Sequence, residues 1–255
     1  MKTSMPPGQT VTINGMQMYY VIHGQGEPLV LLHGYTGSSG DWEPFLPDLA
    51  KEYQLVIPDL RGHGQSTNPS MTFTFRQAAL DVFALLDHVG IDQFKAIGIS
   101  GGGNTLLHMA TQQPGRVAAM VLVSATSYYP KQARAIMQQY RVNNLSDEEW
   151  HRLRQQHQHG DEQIRALYIH GQNFKDSYDD MNFTVPYLSS IRARTLIAYG
   201  DRDLFYPVHI AVEMYTAIPR SYLWIIPNGG HVPESLWEPF TKTIAPFLRG
   251  DWEQQ

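Results

Sequence analysis

Ser100, Asp203 and His231 have the residue types and the chain order for nucleophilic chemistry. A serine hydroxyl is a weak nucleophile at neutral pH. An imidazole with a pKa of about 6.5 can take its proton and later deliver it to a leaving group. A carboxylate fixes the imidazole tautomer and stabilises the imidazolium that forms. Ser100 sits in Gly98-Ile99-Ser100-Gly101-Gly102, a G-x-S-x-G run. The apolar stretch Phe94 to Ile97 precedes it and the helix-like stretch Asn104 to Thr111 follows. That context predicts a tight strand-to-helix turn that holds the hydroxyl clear of the backbone. Small residues two before and two after the serine let the chain bend that sharply. The helix start behind it aims unpaired N–H groups at any negative charge that forms.

Asp203 belongs to Gly200-Asp201-Arg202-Asp203, directly after the strand-like run Thr195 to Tyr199. His231 follows the run Tyr222 to Ile226 and the loop Pro227 to Gly229. All three candidates lie at the C-terminal ends of strands, which share one edge in an open parallel sheet. Asp201 competes with Asp203 as the acid. Asp203 is expected because a residue three positions after the turn at Gly200 can fold back over the strand end, leaving Asp201 to brace the loop. A further strand, Leu29 to Leu32, ends in His33-Gly34-Tyr35. The backbone N–H groups of Tyr35 and Gly101 are expected to form an oxyanion hole, in which one donor is worth about 3 kcal/mol of barrier. The ring of His33 is read as structural.

These residues need a framework of alternating strands and helices. Val11 to Ile13, Asn14-Gly15 and Met16 to Ile22 read as a hairpin, the Asn-Gly pair supplying positive φ angles. Leu29 to Leu32, Gln54 to Ile57, Lys95 to Ile99 and Val117 to Val123 read as buried strands. Ser38 to Glu52 is partly helical, interrupted by Pro44 and Pro47, and Phe75 to Val89 carries an apolar helical face. After Thr195 to Tyr199 come a helix at Val208 to Ile218, the strand Tyr222 to Ile226 and a helix at Pro239 to Leu248. This alternation predicts an α/β fold with a mostly parallel central sheet flanked by helices. Between about 128 and 187 the rhythm changes. This stretch is rich in Gln, Arg, Asp and His, with amphipathic helices expected at Lys131 to Val142 and Asp147 to Gln156. Ser146 and Glu149 form a capping box for the second. The expected organisation is a core of residues 1–127 and 188–255 with a helical cap inserted at 128–187.

At these residues the chain resembles the α/β-hydrolase superfamily, over roughly residues 9 to 250. The motifs are His33-Gly34, Asp59-Leu60-Arg61-Gly62-His63-Gly64-Gln65-Ser66, Gly98 to Gly102, Gly200 to Asp203 and Gly230-His231. In that family the D-x-R-G-x-G-x-S segment is a structural loop near the site mouth, so Asp59 and His63 are not assigned to catalysis. Some relatives place the acid after the strand matching Val117 to Val123. Here Ser124-Ala125-Thr126 offers no carboxylate. Relatives that open epoxides or displace halide carry Asp where this chain has Ser100. The resemblance therefore implies hydrolysis of a carboxylic ester through an acyl-enzyme. Carbon–carbon bond hydrolysis, lactone hydrolysis, acyl transfer and cofactor-free perhydrolysis use the same triad. A ligand receptor without turnover is the alternative of a different class. Many relatives carry a larger side chain after the nucleophile, so Gly101 is expected to remove one pocket wall.

Tyr35, Trp42, Tyr128, Tyr129, Tyr206 and Val232 flank the motifs or the cap hinges and are expected to line an apolar pocket for a small ester-like substrate. The histidines His151, His157 and His159 read as a solvated helix face rather than a metal site. The glycine run lacks the Lys-Ser/Thr of a phosphate loop and does not fit the dinucleotide fingerprint, so no cofactor is expected. The chain has 255 residues, 42% hydrophobic and 17% charged, with a net charge of −5, enough for a sizeable core and unsuited to nucleic acid or an anionic membrane surface. It has no cysteine, which excludes disulfides and thiolate catalysis. No secretory signal or membrane span is visible, so a cytoplasmic monomer or homodimer is expected.

Overall fold

A computed structural model of the chain describes residues 5–232 and 237–254. Eight strands form one sheet: β1 (Gln9–Ile13), β2 (Met16–His23), β3 (Glu27–Leu32), β4 (Tyr53–Pro58), β5 (Phe94–Ile99), β6 (Val117–Val123), β7 (Arg194–Gly200) and β8 (Ser221–Ile226). Their order is β1-β2-β4-β3-β5-β6-β7-β8. β1 and β2 run antiparallel to their neighbours, and the others pair in parallel. The β1–β2 turn has Asn14 at φ 43° and Gly15 at φ 73°, the left-handed pair that matches hairpin twist.

The helices are α1 (Leu46–Leu49), α2 (Phe75–His88), α3 (Gly101–Gln112), α4 (Lys131–Met137), α5 (Asp147–Gln156), α6 (Asp161–Asn173), α7 (Val185–Leu188), α8 (Val208–Ala217) and α9 (Trp237–Arg249). Strand side chains alternate between two cores, as a period of two requires. Val30 and Leu32 of β3 join Met120 and Leu122 of β6 against α2, α3 and α8. Leu29, Leu31, Val121 and Val123 face the other way, onto Trp42, Phe45 and Leu49 and onto Phe240, Ile244 and Phe247 of α9. Both faces of the sheet are covered, which is why the central strands read as continuous apolar runs. Among the described residues, no helix is long and apolar enough to cross a membrane.

Helices α4 to α7 lie between β6 and β7. Helix α4 ends at Met137, earlier than the expected Val142. The chain turns there, with Tyr140 N–H donating to the Met137 carbonyl, and the Tyr140 ring stacks on Tyr168 of α6 at 5.3 Å. Helix α5 begins as expected: Ser146 Oγ accepts from Glu149 N–H while Glu149 accepts from Ser146 N–H. Helix α6 was not anticipated from its residue pattern.

Candidate active site

Ser100 terminates β5 and opens α3. Its backbone is at φ 49°, ψ −110°, outside the helical and extended regions. A non-glycine residue held this way costs on the order of 1–3 kcal/mol, met by the surrounding structure. The turn is fixed by Ser100 N–H donating to the Val123 carbonyl (2.7 Å) and Asn104 N–H donating to the Ser100 carbonyl (2.9 Å). The flanking glycines are sterically required. A Cβ on Gly98 would stand 2.5 Å from the Gly102 carbonyl carbon, and one on Gly102 would run into the Leu32 carbonyl.

Two loops bring the partners. His231 Nε2 lies 2.9 Å from Ser100 Oγ. His231 Nδ1 lies 2.8 Å from Asp203 Oδ2. The other oxygen, Asp203 Oδ1, accepts from Phe205 N–H (2.7 Å) and Tyr206 N–H (3.0 Å), so the carboxylate is oriented from both ends. The acid and histidine loops are tied together because Arg202 N–H donates to the Gly229 carbonyl at 2.8 Å. At Gly200 a Cβ would collide with the carbonyls of Gly229 and Gly230. Asp201 turns away instead, its carboxylate 3.9 Å from Arg202 Nε at the surface.

Beside the serine, Gly101 is the first residue of α3, so its N–H has no acceptor within the helix. A Cβ on Gly101 would stand 3.0 Å from Tyr35 N, which places the Tyr35 main-chain nitrogen against Gly101. The same Cβ would stand 3.1 Å from Phe75 Cε1. The expectation of a missing pocket wall at Gly101 is therefore corrected: the Phe75 ring fills that space. His33 is fully buried, its Nε2 accepting from Leu60 N–H at 3.0 Å, so its ring braces the loop as expected.

The cavity over Ser100 measures about 160 Å³. Tyr35, Tyr129, Tyr206 and Val232 line it, with Gly101 and His231. Two expectations fail. Trp42 is fully buried in the core beneath the opposite sheet face, packed on Phe45 at 5.8 Å, because its 3₁₀ turn Ser39–Phe45 folds onto that face. Tyr128 lies outside the cavity, bridging to Asn182 with its hydroxyl 3.5 Å from His209 Nε2. Among the lining side chains missed by sequence reasoning are Phe75, Asn104, Met137, Tyr140, Phe174 and Phe205. Asn104 alone had a local signal, standing one helical turn after Ser100.

The segment between β6 and β7 is locked onto the site loops. Tyr35 Oη donates to the Leu167 carbonyl of α6 at 2.7 Å. The Tyr35 ring sits among His63, Phe73, Phe75 and Phe174, and burial holds its hydroxyl well above the usual phenol range. Gln163 Nε2 donates to the carbonyls of Gly62 and Gly64. His157 is not solvated, contrary to expectation. It is 1% exposed, Nδ1 accepting from Gly64 N–H at 2.9 Å and Nε2 donating to the Thr36 carbonyl at 3.1 Å. Burial pushes it down to about 4, with a smaller push from His33 and Arg152. The other two histidines do not converge with it: His151 meets Gln155, and His159 meets the Gln65 carbonyl. Behind them the Asp59 carboxylate accepts from Ser39 N–H (2.6 Å) and Gln65 N–H (2.7 Å), a structural role for this motif.

A family model described as alpha/beta hydrolase fold matches residues 27–156. A soluble epoxide hydrolase of Corynebacterium sp. (strain C12) is 43% identical over 98 residues, covering 38% of this chain and 34% of that protein. The chain thus spans only about a third of that relative's length. A meta-cleavage product hydrolase of Pseudomonas fluorescens IP01 has a TM-score of 0.79 at 19% identity, covering 96% of this chain and 98% of the other. A thermophilic esterase of Thermogutta terrifontis has a TM-score of 0.78 at 20% identity, covering 96% and 99%. At such identities these two structures are alike in fold alone.

Proposed function

The chain belongs to the alpha/beta hydrolase fold family, and on that premise we propose that it is a serine hydrolase acting on carboxylic esters of small, largely apolar substrates. One observation carries this reading: Ser100 Oγ at 2.9 Å from His231 Nε2, with Asp203 at 2.8 Å behind the ring. His231 takes the hydroxyl proton as Ser100 Oγ attacks the ester carbonyl. The tetrahedral oxyanion is held by the N–H groups of Tyr35 and Gly101. His231⁺ then protonates the leaving alcohol, and an acyl-Ser100 remains. Water, deprotonated by His231, attacks the acyl carbon, and Ser100 leaves with the proton returned. The segment 128–187 acts as the cap over this chemistry, supplying Met137, Tyr140 and Phe174 to the cavity.

The nucleophile argues against epoxide opening, for which relatives use Asp at this position. The cavity argues for neutral esters. Among the described residues, no Lys, Arg, Asp or Glu lines it, so an acidic substrate would be desolvated without a counter-charge. The experiment is hydrolysis of p-nitrophenyl butyrate by the wild type and by Ser100→Ala. The expected result is a loss of at least about a thousandfold in kcat. Equal rates in the two proteins would overturn the reading.

A further inference from the structure

Tyr35, whose main-chain N–H serves the proposed hydrolysis, belongs to a strained turn. Residues Gly34 to Gly37 are closed by Gly37 N–H donating to the Gly34 carbonyl at 2.9 Å. Thr36, the third residue of this turn, sits at φ 64°. A type II turn keeps that place for glycine, because a side chain there is strained. A β-branched residue in it is a genuine outlier. Such a conformation persists only where the surroundings over-determine it. The hold comes from the segment between β6 and β7. His157 Nε2 lies 3.1 Å from the Thr36 carbonyl. His157 Nδ1 lies 2.9 Å from Gly64 N, from which it can only accept. The one proton of the neutral ring is therefore on Nε2, aimed at Thr36. Gln158 N–H donates to the Gly64 carbonyl at 3.0 Å, so ring and backbone grip the same glycine. Gln156 Nε2 donates to Asp41 Oδ1 at 2.8 Å, and Asp41 Oδ2 accepts from Ser38 N–H at 3.1 Å. Residues 156–158 thus hold the loop after β3 at both ends.

The turn abuts the elbow, since a Cβ on Gly101 would stand 3.0 Å from Tyr35 N. If Thr36 relaxed to a negative φ, the peptide that joins it to Tyr35 would rotate and Tyr35 would move with it. A misplacement of about 1 Å in a catalytic site can cost about a hundredfold in rate. Resting on the serine hydrolase reading above, we propose that His157 is a positioning residue for the reaction. Its Nε2–H holds Thr36 in the left-handed conformation, and the turn so held keeps Tyr35 N–H aimed at the oxyanion. His157 itself lies outside the cavity lining. The Tyr35 hydroxyl bond to Leu167 fixes the side chain, whereas His157 fixes the main chain. An oxyanion donor acts on the transition state, so the effect falls on kcat rather than KM.

The test is steady-state hydrolysis of p-nitrophenyl butyrate by the wild type, His157→Gln, His157→Asn and the double variant Thr36→Gly/His157→Asn. Gln puts an amide N–H where Nε2 stands. Asn keeps an acceptor for Gly64 N–H but is too short to reach Thr36. His157→Asn is expected to lower kcat by about tenfold to a hundredfold, up to the cost of one oxyanion donor, with KM within about twofold. His157→Gln is expected to retain at least about a third of the wild-type kcat. Glycine adopts the left-handed conformation unaided, so the double variant is expected to regain at least about fivefold over His157→Asn. Equal kcat in His157→Asn and His157→Gln, a loss confined to KM, or no recovery in the double variant overturns the proposal. Nitrogen NMR of the histidine rings tests the same bond if His157→Asn fails to fold. The wild-type His157 signal, assigned by its loss in His157→Gln, is expected to show the Nε2–H tautomer, and the Nδ1–H tautomer overturns the proposal. Wild-type rates no higher than those of Ser100→Ala would instead overturn the hydrolase reading itself.

Discussion

Tyr35 donates its phenolic hydroxyl to the Leu167 carbonyl over 2.7 Å. The residue whose main-chain nitrogen stands beside Gly101 is thereby fastened to helix α6. A Cβ on Gly171, one turn further along α6, would lie 3.1 Å from Tyr35 Cε1, so a glycine there lets the ring approach the helix. The geometry of the proposed oxyanion hole thus depends on the segment between β6 and β7. Tyr35→Phe keeps the ring and removes one hydrogen bond. It is expected to lower kcat about threefold to tenfold with little change in KM, and to lower stability by about 1 kcal/mol. Steady-state kinetics and denaturant unfolding check both. A change confined to KM would contradict the coupling.

Asp203 and Asp201 differ by two positions and by everything around them. Asp203 pairs with His231 and accepts two main-chain N–H groups, whereas Asp201 lies at the surface near Arg202. Asp203→Asn is expected to cut kcat by about a thousandfold to ten-thousandfold, through loss of the imidazole tautomer and of imidazolium stabilisation. Asp201→Asn is expected to stay within about threefold. The same ester assay distinguishes them, and a reversal of the two effects would reassign the acid.

Gly102 tests the turn rather than the chemistry. Its Cβ would meet backbone, the Leu32 and His33 carbonyls, which cannot move without shifting β3. Gly102→Ala is expected to destabilise the fold by more than about 3 kcal/mol, well above the usual range for a surface change. Thermal unfolding of the variant measures it. A melting temperature equal to that of the wild type would show that the turn is looser than described.

His157 gives a pH dependence of definite sign. Its folded-state value is pushed down to about 4 by burial, against about 6.5 when unfolded. The unfolded state therefore binds more protons between these values, and stability rises with pH. The contribution is complete above about 6.5 and is lost as pH falls through about 4, with an upper limit of about 3 kcal/mol. Buried His63, with His33 and His157 near it, is shifted in the same direction. Replacing His157 with Gln is expected to flatten the fall in melting temperature between pH 6.5 and 4. An unchanged slope would contradict it.

Much of this architecture was legible in the residues. The strands read correctly because both sheet faces are covered, so each central strand is a continuous apolar run. The elbow was legible because its glycines are required by backbone contacts local to the turn. The segment between β6 and β7 was harder. His157 looks like one of three surface histidines, yet its acceptor and donor partners, Gly64 N–H and the Thr36 carbonyl, lie about a hundred residues away in sequence. Trp42 misled for a similar reason. Proximity to the Tyr35 loop in sequence does not say which face of the sheet a side chain will cover. Phe75 went unnoticed because its role depends on the missing Cβ of Gly101, a contact between two elements that no local pattern announces.

The central claim is that His231 activates Ser100 as a nucleophile. A fluorophosphonate reports this directly: Ser100 Oγ bonds to phosphorus and fluoride leaves. Intact-mass measurement after treatment is expected to find one adduct on the wild type, mapped to the peptide containing Ser100, and none on Ser100→Ala. An adduct that persists on Ser100→Ala, or a wild type that acquires none, would contradict the account.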